Sequence, residues 1–133
     1  LNSGYEAPNT ISWSTTGENA LVKLDSDRES TKVELRFPDG SANPYLLFAC
    51  AIAAGIDGIE KGEKLCPECA VDEAERYPED LKEAIAMLQL DPVITGTLGA
   101  DFVKIFSDIK RAEWKDYMME ISDWEINRYL TRI

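Results

Sequence analysis

The chain has 133 residues, 44% of them hydrophobic, no histidine and a formal net charge of -11. This acidic balance argues against nucleic acids and anionic membrane surfaces as partners, because phosphate binding requires clustered Lys and Arg. The longest apolar run, 45–56, is shorter than the roughly 20 residues that span a bilayer. Three cysteines without a signal-like N-terminus indicate a reduced, cytoplasmic protein.

The N-terminal part of the chain has sequence patterns typical of β-strands. Two short β-like runs, 10–14 and 20–24, are separated by Thr-Gly-Glu-Asn, which predicts a hairpin. Residues 31–37 alternate in polarity, the clearest strand pattern in the chain. Alternation assigns the charged residues to one face and the apolar residues to the other: Lys32, Glu34 and Arg36 against Val33, Leu35 and Phe37. A small antiparallel sheet is therefore expected.

A helix is predicted to follow this strand. Asn43 is a favoured N-cap, and Pro44 suits the first helical position. The helix is expected to run to about Gly58. Because it is apolar almost all round, it is predicted to be buried on most sides.

Further helices are predicted downstream. Residues 79–90 form an amphipathic pattern with a stripe of Leu81, Ile85 and Leu88, and Asp91-Pro92 indicates a short turn. Residues 101–120 predict a longer helix whose apolar face holds Phe102, Ile105, Phe106 and Ile109. Ser122 and Glu125 form a capping box for a last helix over 123–132. Strands followed by helices indicate an α+β fold.

The charged face of strand 31–37 is the first candidate site. A carboxylate between two cations stays ionised, so Glu34 is placed to bind a hard divalent metal. The planar guanidinium of Arg36 suits a carboxylate or phosphate. The alternative is a solvated strand face with alternating charges.

Three other features of the sequence are candidates for a functional role. Glu6, on a loop that begins at Gly4, is either a proton acceptor at a cleft mouth or an ordinary exposed carboxylate. Cys66-Pro67-Glu68-Cys69 offers half of a zinc site, but Cys50 is the one remaining cysteine and no histidine exists, so structural zinc is not expected. The aromatic residues of the C-terminal helices indicate packing or subunit contacts: Trp114, Tyr117, Trp124 and Tyr129.

Taken together, several motifs resemble one family. The runs KVELRFPD (32–39), SANPYL (41–46) and AAGIDGI (53–59) are similar to the C-terminal signature of bacterial and archaeal glutamine synthetases. LNSGYEAP (1–8) resembles the loop that the family places upstream. The resemblance implies that residues 1–133 are the C-terminal part of the catalytic domain, without the N-terminal β-grasp domain and the first part of the catalytic domain.

The resemblance also implies an activity and its residues. The family makes glutamine from glutamate and ammonia, with ATP as co-substrate, Mg²⁺ or Mn²⁺ as cofactor and a γ-glutamyl phosphate intermediate. By matching positions, Glu34 is a metal ligand, Arg36 holds substrate and the transferring phosphoryl group, and Glu6 is the flap residue that takes a proton from ammonium. Lys32 stands near the nucleotide, where the family usually has arginine. The implied parent is a cytoplasmic homo-oligomer, a double-ring dodecamer.

The hairpin loop departs from the family pattern. The family carries arginines there, roughly NRSAxxR, that contact phosphates, whereas this chain has Glu18 at the first arginine position and Lys23 at the second. Lysine cannot make the bidentate contact of arginine. Two alternatives to glutamine synthesis therefore stay open: a paralogue that ligates another amine, and a catalytically dead regulatory or assembly relative. The chain alone is expected to be inactive, because one carboxylate cannot hold the metal cluster.

Overall fold

The computed structural model describes residues 10–16, 20–27, 30–68 and 75–130. Within these ranges strands come first and helices follow, apart from one two-residue strand, so the α+β prediction is confirmed. The strands are β1 (Thr10–Ile11), β2 (Trp13–Ser14), β3 (Val22–Asp27), β4 (Ser30–Leu35) and β5 (Glu75–Arg76). The helices are α1 (Pro44–Lys61), α2 (Leu81–Leu90), α3 (Pro92–Leu98), α4 (Ala100–Met119) and α5 (Asp123–Tyr129).

The main sheet is mixed, with strand order β2-β3-β4. β3 and β4 are antiparallel over six residues each, whereas β2 runs parallel to β3, with Trp13 opposite Val22 and Ser14 opposite Lys23. The hairpin predicted between 10–14 and 20–24 is therefore wrong, and the hairpin lies between β3 and β4. A short turn can join only antiparallel strands, so the parallel β2–β3 pair excludes a hairpin between these two runs. β1 pairs separately with β5.

Helix α1 begins as predicted. The Asn43 side chain accepts hydrogen bonds from the amides of Tyr45 at 3.0 Å and Leu46 at 3.4 Å, with Pro44 in the first turn. The helix continues past Gly58 to Lys61 and ends at Gly62, whose φ of 65° is the left-handed conformation that glycine adopts readily.

The prediction that α1 is buried on most sides is wrong. No residue of α1 is buried, and one apolar stripe is open to solvent: Tyr45, Phe48, Ile52, Ile56 and Ile59. The physical reason is a shortage of neighbours, because the principal partner of α1 among the described elements is the seven-residue α3.

The buried hydrophobic residues of the described part of the chain are few and lie in two places. Ala20 and Leu21 are buried beside the sheet, and Ile85 of α2 and Val103 of α4 are buried where these helices pack together. Ile85, which belongs to the predicted apolar stripe of α2, is buried as predicted. The predicted face of α4 is wrong: Val103 and Ser107 are buried, while three of the four predicted residues are exposed, namely Phe102, Ile105 and Ile109. The small Ser107 suits a helix contact, because the distance between helix axes depends on the side chains there.

The remaining helix boundaries follow local capping. The Asp91-Pro92 turn is in fact the start of α3, since the Asp91 carboxylate accepts from the amides of Val93 and Ile94. The capping box of Ser122 and Glu125 is confirmed at the start of α5. The four C-terminal aromatic residues form two ring pairs, Trp114 with Tyr117 and Trp124 with Tyr129.

Candidate functional site

One face of the β3–β4 hairpin gathers the charged residues. Lys23 lies opposite Glu34, and Asp25 lies opposite Lys32. Residues directly opposite in an antiparallel pair share a face, as do alternate residues along a strand. The backbone amide of Arg36 donates to the carbonyl of Leu21 at 2.9 Å, which holds Arg36 beside the sheet just beyond β4. We call this surface the charged sheet face: Lys23, Asp25, Lys32, Glu34 and Arg36.

An ion pair lies at the end of the charged sheet face. Arg36 Nε is 3.4 Å from Glu34 Oε1, and the two side chains are 19% and 59% exposed, respectively. The guanidinium is therefore mostly shielded by protein, while the carboxylate remains accessible. This arrangement confirms that Glu34 and Arg36 lie together, as the alternation of strand 31–37 predicts.

The charge of this face differs in sign from that of the whole chain. Three cationic and two anionic side chains give the face a net charge of +1, in a chain whose formal net charge is -11. Local positive charge attracts anions such as phosphate, and the accessible Glu34 carboxylate offers oxygen to a cation. The face can therefore contact a metal-bound phosphate through both kinds of group.

Glu34 fits a divalent cation as one oxygen ligand of a larger set. Carboxylate oxygen is the ligand type that Mg²⁺ prefers. Across residues 10–16, 20–27, 30–68 and 75–130, however, no group of three or more His, Cys, Asp or Glu side chains is placed to hold a metal ion. The described residues therefore offer Glu34 as a candidate ligand, without a complete metal site.

The remaining candidate residues are two glutamates and the cysteines. Glu6 and Glu18 lie outside the described residues, as does Cys69 of the Cys-x-x-Cys motif. Cys66 is exposed, whereas Cys50 is half-buried in α1, where burial raises the pKa of its thiol. A raised pKa leaves less reactive thiolate at neutral pH.

A turn connects the charged sheet face to α1. Asp39 Oδ1 accepts hydrogen bonds from the amide of Ser41 at 2.7 Å and from its hydroxyl at 2.6 Å. These bonds, the hydroxyl first, lower the pKa of the Asp39 carboxyl. The turn therefore orders the chain directly after Arg36 and before the Asn43 cap.

The structure also reveals contacts of Glu68 that no sequence pattern predicts. Its Oε1 accepts hydrogen bonds from the hydroxyl of Ser14, from the amide of Thr15 at 2.8 Å and from the hydroxyl of Thr15 at 3.4 Å. Hydrogen bonds from Ser14, and then from Thr15, lower the pKa of the Glu68 carboxyl. The partners are more than fifty residues apart in sequence, so local spacing carries no signal of the contact.

The sequence as a whole matches one family. Residues 1–129 match the family described as glutamine synthetase, catalytic domain. The chain belongs to that family, as its α+β fold and the motifs on and beside the charged sheet face also indicate.

Individual relatives agree with this assignment. A glutamine synthetase of Thermus thermophilus is 39% identical, over 98% of this chain and 32% of the relative. One of Methanocaldococcus jannaschii is 37% identical, over 96% of this chain and 31% of the relative. One of Thermotoga maritima is also 37% identical, over 96% of this chain and 32% of the relative. The chain thus spans about a third of the length of the curated relatives it matches. Within the described residues, no helix has both the length and the apolar character needed to cross a bilayer.

Proposed function

We propose that the parent polypeptide is an ATP-dependent glutamate–ammonia ligase and that this chain supplies one wall of its active site. The observation that carries the proposal is the charged sheet face, where the Glu34–Arg36 pair and Lys23 and Lys32 lie in register. By the resemblance of the sequence motifs, these four residues match the family's metal ligand, its substrate arginine and two cations near the nucleotide.

The proposed roles follow from the chemistry of each group. Glu34 provides an oxygen ligand to Mg²⁺ or Mn²⁺. A bound divalent cation neutralises negative charge on the transferring phosphoryl group. Lys32 and Lys23 add positive charge toward the ATP phosphates as point charges, without the bidentate geometry of arginine.

Arg36 holds glutamate and the transferring phosphoryl group in this proposal. Its guanidinium is mostly shielded and paired with Glu34, so it is held in place before substrate arrives. A donor that needs no rearrangement during the reaction stabilises developing charge most effectively. The glutamate γ-carboxylate attacks the γ-phosphorus of ATP, which gives γ-glutamyl phosphate and ADP.

Glu6 completes the reaction in this proposal. As the flap residue, it accepts a proton from ammonium, which frees ammonia to attack the acyl carbon of γ-glutamyl phosphate and release phosphate. The flap also excludes water that would hydrolyse the intermediate. The 133-residue chain alone is inactive in this proposal, and the active parent is a cytoplasmic double-ring homo-oligomer.

One observation favours a second candidate, a paralogue that ligates a different amine to glutamate. Lys23 stands directly opposite Glu34 at a position where the family has arginine, so the nucleotide side of the face is altered. Both candidates consume ATP and differ in the amine that triggers its consumption.

The test measures ADP release by the full-length parent with ATP, Mg²⁺ and glutamate, with ammonia or a panel of amines. We expect ammonia-dependent release, and release that depends only on another amine would establish the paralogue instead. Arg36→Lys is expected to lower the rate by about a hundredfold, while the control Arg76→Lys, in an exposed pair with Glu79, leaves it unchanged. A folded, oligomeric parent with no amine-dependent release would reject both candidates and leave the catalytically dead relative.

A further inference from the structure

The segment 63–68 is joined to strand β2 by two anchors. Trp13 Nε1 donates a hydrogen bond to the carbonyl of Cys66 at 2.8 Å. Two residues later, one carboxylate oxygen of Glu68 accepts from Ser14 and from both the amide and the hydroxyl of Thr15. A charged acceptor makes stronger hydrogen bonds than a neutral one, so Glu68 is the stronger anchor.

The Glu68 carboxylate organises the chain directly after β2. Ser14 is buried, and its hydroxyl both donates to Glu68 and accepts from the amide of Thr16 at 3.1 Å. When a hydroxyl donates one hydrogen bond and accepts another, the two bonds polarise each other and both become stronger. Ser14, Thr15 and Thr16 are thereby fixed by one side chain from a distant segment.

Strand β2 in turn adjoins the charged sheet face. Ser14 pairs with Lys23 in the parallel β2–β3 ladder, and Lys23 pairs with Glu34 in the antiparallel β3–β4 ladder. The amide of Val22 donates to the carbonyl of Ser12 at 3.0 Å, which adds one more bond between the two strands. A two-residue parallel ladder is weak by itself, so the place of β2 beside β3 depends on what anchors β2.

We propose that Glu68 is a positioning residue for Lys23: it anchors Ser14–Thr16, and through β2 it holds Lys23 in place on the charged sheet face. Glu68 contacts no substrate in this role. The role of Lys23 toward ATP rests on the proposed function, whereas the anchoring of β2 and β3 by Glu68 does not.

The first test uses the full-length parent and separates the kinetics of the two substrates. Glu68→Ala is expected to lower kcat/KM for ATP by about tenfold, because slight misplacement of a binding group is costly. The KM for glutamate is expected to stay within about twofold, since the backbone of Arg36 is bonded to Leu21 and Arg36 is paired with Glu34 of β4. Glu68→Gln, which keeps an acceptor oxygen, restores part of the loss. Glu63→Gln, a charge-matched change on the same exposed segment, leaves both substrates unaffected.

A double-mutant cycle shows whether the effect passes through Ser14. If Glu68 acts by that route, Glu68→Ala combined with Ser14→Ala costs no more than either change alone. Unchanged ATP kinetics in Glu68→Ala would overturn the proposal. Equal losses for ATP and glutamate, with a lower melting temperature and no rescue by glutamine, would also overturn it, because that result describes a merely structural residue.

The second test needs no catalysis and uses the 133-residue chain. Hydrogen exchange is measured at the amides of Thr15, Thr16 and Val22, which bond to Glu68, Ser14 and Ser12. Glu68→Ala is expected to speed exchange at all three by about tenfold or more, with the β4 amides unchanged and Glu63→Gln without effect. Faster exchange in the 133-residue chain, together with a parent that consumes no ATP, would retain the anchor while rejecting the proposed function. Unchanged exchange would reject the anchor itself, whatever the parent catalyses.

Discussion

Replacing Glu34 by Gln separates a functional carboxylate from a structural one. The substitution removes the charge and keeps the size of the side chain, so it breaks the 3.4 Å ion pair with Arg36 and little else. Because the Glu34 side chain is 59% exposed, solvent screens much of the attraction. Exposed ion pairs contribute about 0.2–1 kcal/mol, and the shielded Arg36 places this pair in the upper part of that range. The expected loss in unfolding free energy is therefore below about 1 kcal/mol.

Two assays measure the consequences. Urea unfolding of the 133-residue chain, followed by far-UV circular dichroism, gives the stability, with Glu79→Gln as the control. Glu79 is 72% exposed and pairs with Arg76 at 3.0 Å, and neither residue belongs to the charged sheet face. In the parent, Glu34→Gln is expected to lower ADP release at least about a hundredfold, while Glu79→Gln leaves it unchanged. A stability loss above about 2 kcal/mol, or retained activity, would contradict the role assigned to Glu34.

Three further predictions concern the core, pH and metal binding. Ile85→Ala is expected to lower the unfolding free energy by about 2–5 kcal/mol. By contrast, Ser107→Ala is expected to raise the unfolding free energy by up to about 1 kcal/mol, because the Ser107 hydroxyl is buried without a hydrogen-bond partner among the described residues. Urea unfolding measures both changes. A lower unfolding free energy for Ser107→Ala would contradict this prediction. Hydrogen bonds from Ser122 hold the pKa of Glu125 below its usual 4.5. This stabilisation is fully present above the unperturbed pKa and is lost as pH falls through the lowered pKa, so helicity is expected to drop as pH falls below 4.5. The drop is expected to be smaller in Glu125→Gln, and equal drops would argue against the cap. Calorimetry of the 133-residue chain is expected to show no tight Mg²⁺ or Mn²⁺ site, and a submicromolar one would refute Glu34 as a single ligand of a larger set.

The features that local sequence predicts are those made within a few residues. Asn43 caps α1 through amides two and three residues away, and Ser122 caps α5 through Glu125. The shared face of Lys32, Glu34 and Arg36 follows from alternation along one strand. These interactions do not depend on what the rest of the chain does, so spacing alone is sufficient to find them.

The features that were mispredicted depend on distant partners. β2 pairs in parallel with one edge of β3 while β4 takes the other edge, and the buried stripe of α4 is set by its contact with α2. Neither the direction of a strand pair nor a helix contact is visible in hydrophobic periodicity. The apolar character of α1 indicates a buried helix, yet among the described elements few are available to cover it. The contacts of Glu68 likewise cannot be predicted from local sequence, because its partners are more than fifty residues away.

The central claim is that the charged sheet face binds the metal and nucleotide of a glutamine synthetase-like ligase. The most direct measurement is a crystal structure of the full-length parent with Mn²⁺ and a non-hydrolysable ATP analogue, with the metal located by anomalous scattering. The claim predicts a Mn²⁺ ion with a Glu34 carboxylate oxygen at roughly the 2.1 Å typical of small hard cations, and phosphate oxygens facing Lys23 and Lys32. Mn²⁺ and nucleotide bound elsewhere, with Glu34 still paired only to Arg36, would contradict it.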